Sequence, residues 1–215
     1  MAILKDARKY WDSDECAGIS HEYFTKVAPV LREDLLNLGV PVDGVKVLDL
    51  GCGTGRIAQM YKPKKYVGVD QSEKMLTKAR ALLLDRSEVE LHLKTLYSFK
   101  TDEHFDTLLL IDVLPHLDEK GCISTFKMVL RKFDADVYVM RLFISLKNET
   151  IYYNSSIYGH LSISYTPEQI EERLLPLAKQ YDKEAFLMIA SNTSPSVANG
   201  YIVAYNKPIV DNADV

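Results

Sequence analysis

The stretch Val47-Leu48-Asp49-Leu50-Gly51-Cys52-Gly53-Thr54-Gly55-Arg56 decides how the rest of the chain is read. A short apolar run ends in three glycines at alternate positions. A strand that reverses directly into a helix needs residues without a Cβ, because side chains block both the turn and the approach of a ligand. Free amides in such a turn can hold an anionic group. Asp49 stands two residues before the first glycine, where a carboxylate can meet a cationic amine.

Working outward, Tyr66–Val69 reads as a second strand that ends at Asp70, 19 positions after Gly51. A carboxylate at that strand tip can accept two hydrogen bonds from a ribose diol. Ser72 is placed to cap a helix running to about Leu84, with Glu73 in its first turn. Val89–Leu93 and the continuous apolar run Phe105–Ile111 are further strands, the second suited to burial on both faces. Asp118–Phe133 reads as helix and Val137–Leu142 as a fifth strand. Thr166-Pro167-Glu168 opens another helix, to about Gln180. Ala185–Ala190 and Tyr201–Tyr205 are close enough to form a hairpin. Upstream, residues 20–38 show a helical apolar period. The alternation predicts an α/β single domain: a mostly parallel sheet of about seven strands with helices on both faces, and a ligand crevice at the strands' carboxyl ends. Its expected parts are a helical lid or cap over 1–39, the main domain over 40–207 and a flexible tail over 208–215.

The chain has 215 residues, a formal net charge of -4 and 47% hydrophobic residues. The charge argues against a protein built mainly to grip nucleic acid, which needs a basic excess to neutralise phosphates. Cys16, Cys52 and Cys122 are scattered and odd in number, so neither a disulfide framework nor a metal site is expected. No run approaches the ~20 apolar residues of a membrane span. The expectation is a cytoplasmic protein without a membrane anchor. Oligomeric state is not encoded legibly.

Gly53-Thr54-Gly55-Arg56-Ile57-Ala58 also satisfies the dinucleotide pattern G-x-G-x-x-A, so a nicotinamide or flavin reading competes. Against it stand Asp49, the triplet spacing of Gly51, Gly53 and Gly55, and the lack of chain for a separate catalytic domain.

Asp49-x-Gly51-x-Gly53-x-Gly55 resembles the first motif of class I S-adenosylmethionine-dependent methyltransferases, which are Rossmann-like, and Gly68-Val69-Asp70-Gln71-Ser72 is similar to their second. The resemblance implies S-adenosyl-L-methionine as cofactor. It places Asp49, Gly51, Cys52, Gly53, Gly55 and Arg56 along the methionyl part, and Asp70 and Gln71 at the ribose. It implies adenine contacts around Thr95 and Leu96. Met75 and Asp112 complete the candidate set around the cofactor. The competing class is a non-catalytic, cofactor-binding scaffold subunit.

After the fourth strand comes Ile111-Asp112-Val113-Leu114-Pro115-His116-Leu117. The Asn/Asp-Pro-Pro-Tyr/Phe signature of base amino-methylation is absent. His116 is a candidate general base, since an imidazole titrates near ~6.5; its other reading is a cap for the helix near Asp118. A narrower resemblance is to protein α-N-terminal methyltransferases. Ala7-Arg8-Lys9-Tyr10-Trp11, Gly55-Arg56-Ile57, Val113–Leu117 and Asn154-Ser155-Ser156-Ile157 carry it. The chain departs from that family at Asp112, where it has a substrate-stacking tryptophan, at Asn154, where it has an aspartate, and at Leu142. Asn154 is the second acceptor-side candidate. The favoured acceptor is a small molecule, with a peptide N-terminus as the alternative. Tyr152, Tyr153, Tyr158 and Tyr165 mark residues 150–165 as an acceptor loop, and Tyr10, Trp11, Tyr23 and Phe24 mark the opening segment as a lid.

Overall fold

The computed structural model describes residues 11–155 and 160–206. Tyr10, Tyr158 and the tail 208–215 lie outside the described residues, as do the side chains of Tyr23, Phe24, Tyr153 and Asn154.

The central strands are β1 (Lys46–Leu50), β2 (Lys65–Asp70), β3 (Val89–Leu93), β4 (His104–Leu110) and β5 (Asp134–Ser145). They run parallel in the order β3-β2-β1-β4-β5. The last two strands, β8 (Lys183–Ser194) and β9 (Val197–Asn206), form the expected hairpin, and β9 lies antiparallel to β5.

The described sheet has nine strands, not about seven. The difference is β6 (Ile151–Ser155) and β7 (His160–Tyr165), which occupy the stretch read from sequence as a loop. β5 makes room for them. It pairs with β4 only as far as Met140, opposite Leu110, and then continues to Ser145. β9 covers the other edge of β5 from Val137 to Ser145. β7 therefore takes the edge that β4 vacates, pairing Phe143 with Ser164 and Ile144 with Tyr165. The hairpin thus stands over the carboxyl end of β4.

Side chains alternate across the strands, so the sheet buries two cores. Leu48, Leu50, Leu108, Leu110, Tyr138 and Met140 pack on one face with Phe126, Val129 and Phe133. Val47, Tyr66, Leu109, Val139 and Tyr201 pack on the other with Leu31, Leu35 and Ile57. Each such large side chain contributes about 1.5–3 kcal/mol by leaving water.

The helices begin where local chemistry directs. α1 (Asp14–Asn37) starts earlier than its apolar period suggested, because the Ser13 side chain accepts from the Cys16 amide. α2 (Arg56–Met60) follows the glycine turn. α3 (Glu73–Leu82) is capped by Ser72, α4 (Glu119–Lys132) by Asp118 and α5 (Pro167–Arg173) by Thr166. The expected run to Gln180 is broken after Arg173. A short α6 (Leu175–Ala178) follows with Pro176 in its first turn. Proline lacks the amide that a continuous helix would need there.

Candidate functional site

At the tip of β1 the chain turns through Gly51, Gly53 and Gly55, all in the left-handed region at φ 77, 55 and 73. Other residues adopt that region at a cost. The amides of Gly51 and Cys52 donate to the Val69 carbonyl at 2.7 and 3.1 Å, and that of Gly55 to Cys52 at 2.9 Å. The Gly53 amide donates to Asp70 Oδ2 at 2.8 Å, and the Ser72 amide to Asp70 Oδ1 at 2.9 Å. These four turn amides are therefore consumed within the protein. That corrects the expectation of a free anion cradle and removes the main support for a pyrophosphate. Burial raises the Asp70 carboxyl pKa, against the pull of the Ser72 and Gly53 amides.

A Cβ on Gly51 would lie 2.4 Å from Val113 Cγ2, so the turn and the segment after β4 touch directly. A Cβ on Gly53 would meet no protein atom within 4 Å. Gly53 faces open space, and that space is the cleft.

Asp49 is 2% exposed, and its carboxylate accepts from the Tyr66 hydroxyl at 2.6 Å. Loss of solvation pushes its pKa up to about 6, although the Tyr66 bond and the nearby Arg56 charge pull the other way. Asp49 lies behind the turn and does not line the cleft.

At the tip of β4, Asp112 is in the left-handed region at φ 60, uncommon for a residue with a side chain. Its carboxylate is held from two sides. Arg141 Nη1, from β5, donates to both oxygens at 2.8 Å, and Arg56 Nη2 to one at 2.9 Å. Burial opposes its charge, but Arg141 and then Arg56 outweigh that and lower its pKa. Arg141 Nη2 also donates to Asn199 Oδ1 at 2.5 Å.

Four residues on, His116 ends a short 3-10 turn, Leu114–His116. Its Nδ1 is 3.3 Å from Ser162 Oγ on β7, and its ring centroid is 4.8 Å from that of Trp11 at 55°. The cap of α4 is Asp118, which accepts from the Gly121 amide at 2.8 Å; His116 does not serve as that cap. Tyr165 donates its hydroxyl to the Leu117 carbonyl at 3.3 Å. Trp11 is brought in from the N-terminal side by its neighbour. Asp12 Oδ1 accepts from Ser72 Oγ at 3.1 Å and from the Lys74 amide at 3.3 Å.

These elements enclose a cleft of about 380 Å³, within the range of small-ligand sites. Of the candidates read from sequence, Gly51, Cys52, Gly53, Arg56, Asp70, Gln71, Met75, Thr95, Leu96, Asp112 and His116 line it. Asp49 and Gly55 do not. Asn154 is a β6 residue paired with Leu161, and its side chain lies outside the described residues. The sequence reading missed Lys94, Tyr97, Val113, Leu117 and Thr125 on the wall. It also missed Arg141 and Ser162 behind it. Arg141 did leave a signal: one charge inside the apolar run Tyr138–Phe143. Leu142, weighed against a polar peptide-binding residue, is wholly buried.

Residues 47–133 match the family model described as a methyltransferase domain. The chain is 27% identical over 96 residues to (S)-coclaurine N-methyltransferase of Papaver somniferum, 42% of this chain and 26% of that protein. It spans about a quarter of the length of the curated relatives it matches. Its fold is similar to that of 1,6-didemethyltoxoflavin-N1-methyltransferase of Burkholderia thailandensis, solved with 1,6-didemethyltoxoflavin and S-adenosylhomocysteine. The TM-score is 0.69 at 17% identity, covering 96% of this chain and 91% of that one. It is also similar to the small RNA methyltransferase HEN1, with TM-score 0.66 at 16% identity over 84% of this chain and 25% of that one.

Proposed function

We infer that this chain, which carries a class I S-adenosylmethionine-dependent methyltransferase domain with S-adenosylmethionine as its cofactor, methylates a small-molecule nucleophile in the cytoplasm. The observation that carries the reading is the pairing of Asp70 with an open-faced Gly53 in a 380 Å³ cleft that Trp11 and His116 also line. A cleft of that size suits the cofactor and a small acceptor. The net charge of -4 speaks against a nucleic-acid partner. Cys52 and Cys122 are buried free thiols, as suits a reducing compartment. No described helix is long and apolar enough to cross a membrane.

The residues present fit the cofactor. Gly53 leaves the room that a ligand backed onto the turn requires. Asp70 presents a half-buried carboxylate for the ribose, and Met75, Thr95 and Leu96 offer a largely apolar seat to the adenine. The sulfonium supplies an already activated methyl group, so the chemical step is an in-line displacement. The protein's work is to position and desolvate. His116 orients the acceptor, or takes its proton where one must leave, and Asn154 holds it by a neutral hydrogen bond from β6. An amide takes no proton near neutral pH.

The test begins with calorimetry against S-adenosylhomocysteine and against NAD. A labelled methyl donor is then incubated with small amines, phenols and carboxylates, short peptides and a small RNA. Transfer to a small molecule supports the reading. Transfer to peptide alone moves the chain to the α-N-terminal reading. Tight cofactor binding with no transfer, together with a stable partner, favours a scaffold.

A further inference from the structure

The cleft joins two loops that recognise different things. The glycine turn carries Arg56, and the segment after β4 carries Asp112, Val113 and His116. They meet where Gly51 faces Val113 and where Arg56 reaches Asp112 and the Ile111 carbonyl. The contact with Asp112 depends on an unusual backbone. A non-glycine residue in the left-handed region persists only where its surroundings over-determine it. Here the surroundings include a residue outside the cleft. Arg141 follows Met140, the last β5 residue paired with β4. It therefore sits where β4 has ended and its chain must choose a direction. Its side chain is 3% exposed, and its Nη1 bridges both Asp112 oxygens at 2.8 Å. Asn199, on β9, holds the same guanidinium from behind.

We propose that Arg141 is a positioning residue: by clasping Asp112 in its left-handed conformation it sets Val113–Leu117 against the glycine turn, so that cofactor and acceptor walls keep one geometry. The proposal rests on the methyltransferase reading for its meaning, but its test does not need an acceptor. Arg141 does not itself line the cleft; it acts through Asp112, which does.

Trp11 is the chain's single tryptophan and lies against His116, so its emission reports where the segment sits. In Arg141→Met the segment is released. Trp11 emission then changes toward that of His116→Ala, and S-adenosylhomocysteine binds at least about tenfold more weakly by calorimetry. Asp112→Asn behaves alike. The double variant Arg141→Met/Asp112→Asn binds no more weakly than the worse single variant, because residues that act as a unit are not additive. Arg141→Lys keeps the charge and lies between wild type and Arg141→Met. If Arg141→Met does not fold, Arg141→Lys carries the same two readouts. A folded Arg141 variant with lowered Tm but wild-type emission and wild-type affinity overturns the proposal, since Arg141 would then serve stability alone. Wild type that ignores S-adenosylhomocysteine overturns the functional reading instead, and the emission of the Arg141 variants still decides the positioning role.

Discussion

The carboxylate of Asp70 holds the Gly53 amide at 2.8 Å with one oxygen and the Ser72 amide at 2.9 Å with the other. The tip of β2 thus shapes the turn after β1 as well as facing the cleft. Asp70→Ala removes two internal acceptor contacts and, on the proposed reading, a charge-assisted bond to the ribose. Affinity for S-adenosylhomocysteine should fall by about 1.5–3 kcal/mol, roughly ten- to a hundredfold. The apo protein should also lose stability in thermal unfolding. Unchanged affinity would remove Asp70 from the site.

Gly51 and Gly53 should fail in different ways. Alanine at Gly51 places its Cβ against Val113 in a left-handed backbone, so Gly51→Ala should destabilise the apo protein by roughly 1–3 kcal/mol. Alanine at Gly53 carries the same left-handed backbone strain, but its Cβ meets no protein atom within 4 Å and enters the cleft. Gly53→Ala should therefore cost less stability than Gly51→Ala and more affinity. Unfolding curves and calorimetry on both variants separate the two, and the reverse pattern would refute the assignment of Gly53 to the ligand face.

Asp49 gives a pH prediction. Its pKa is raised from 3.8 to about 6, so the folded protein keeps a proton that the unfolded chain has released. Its contribution favours folding at low pH and is lost as pH rises through about 6. Asp49→Asn keeps an acceptor for Tyr66 and removes the charge. The variant without ligand should be more stable than wild type at pH 7.5, by roughly 1–3 kcal/mol. The gap should narrow below about pH 6 and close only below about pH 4, where the unfolded carboxyl is protonated as well. A gap that stays constant with pH would show that burial does not raise this carboxyl.

Cys52 lines the cleft, yet burial pushes its thiol pKa well above the ordinary value, and the charges of Asp49 and Asp70 push it further. It remains a thiol and is a poor nucleophile. Cys52→Ala should keep S-adenosylhomocysteine affinity within about threefold and lose about 1 kcal/mol of stability. Complete loss of turnover with binding intact would reveal a covalent thiol step.

His116 should matter to turnover more than to cofactor affinity. His116→Ala is expected to lower transfer to the identified acceptor by ~10²-fold or more. Wild-type turnover should rise with pH as the imidazole loses its proton. Ser162→Ala, which frees Nδ1, should alter that profile while leaving S-adenosylhomocysteine affinity unchanged. An unaltered pH profile in both variants would leave His116 as a wall residue.

Much of this was legible because it is local. The glycine turn, the Ser72 cap and the helix start at Thr166-Pro167 each depend on residues a few positions apart and stand where the sequence places them, whereas Asp118, read as the first residue of its helix, is its cap. The β6–β7 hairpin was not legible, because its pairing depends on β5 outlasting β4, a property of two distant segments. Arg141 was overlooked for the same reason. Its meaning lies in Asp112, 29 residues away, and in Asn199, 58 residues away. Asp49 looked like a ligand contact, but spacing alone does not tell which side of a turn a carboxylate takes.

The overhang of β5 separates two kinds of evolutionary freedom. The hairpin hangs from Phe143 and Ile144, clear of β4 and of the turn that faces the cofactor. Its exposed side chains, such as Tyr152, can be exchanged without disturbing the parallel ladder, whereas Ile163 and Tyr165 belong to the core beneath and must stay. On the proposed reading, a lineage could therefore retool its acceptor by rewriting the exposed residues of this hairpin while keeping Ile163 and Tyr165 and inheriting the donor half unchanged. Grafting that segment from a relative of different specificity is the corresponding route for an engineer.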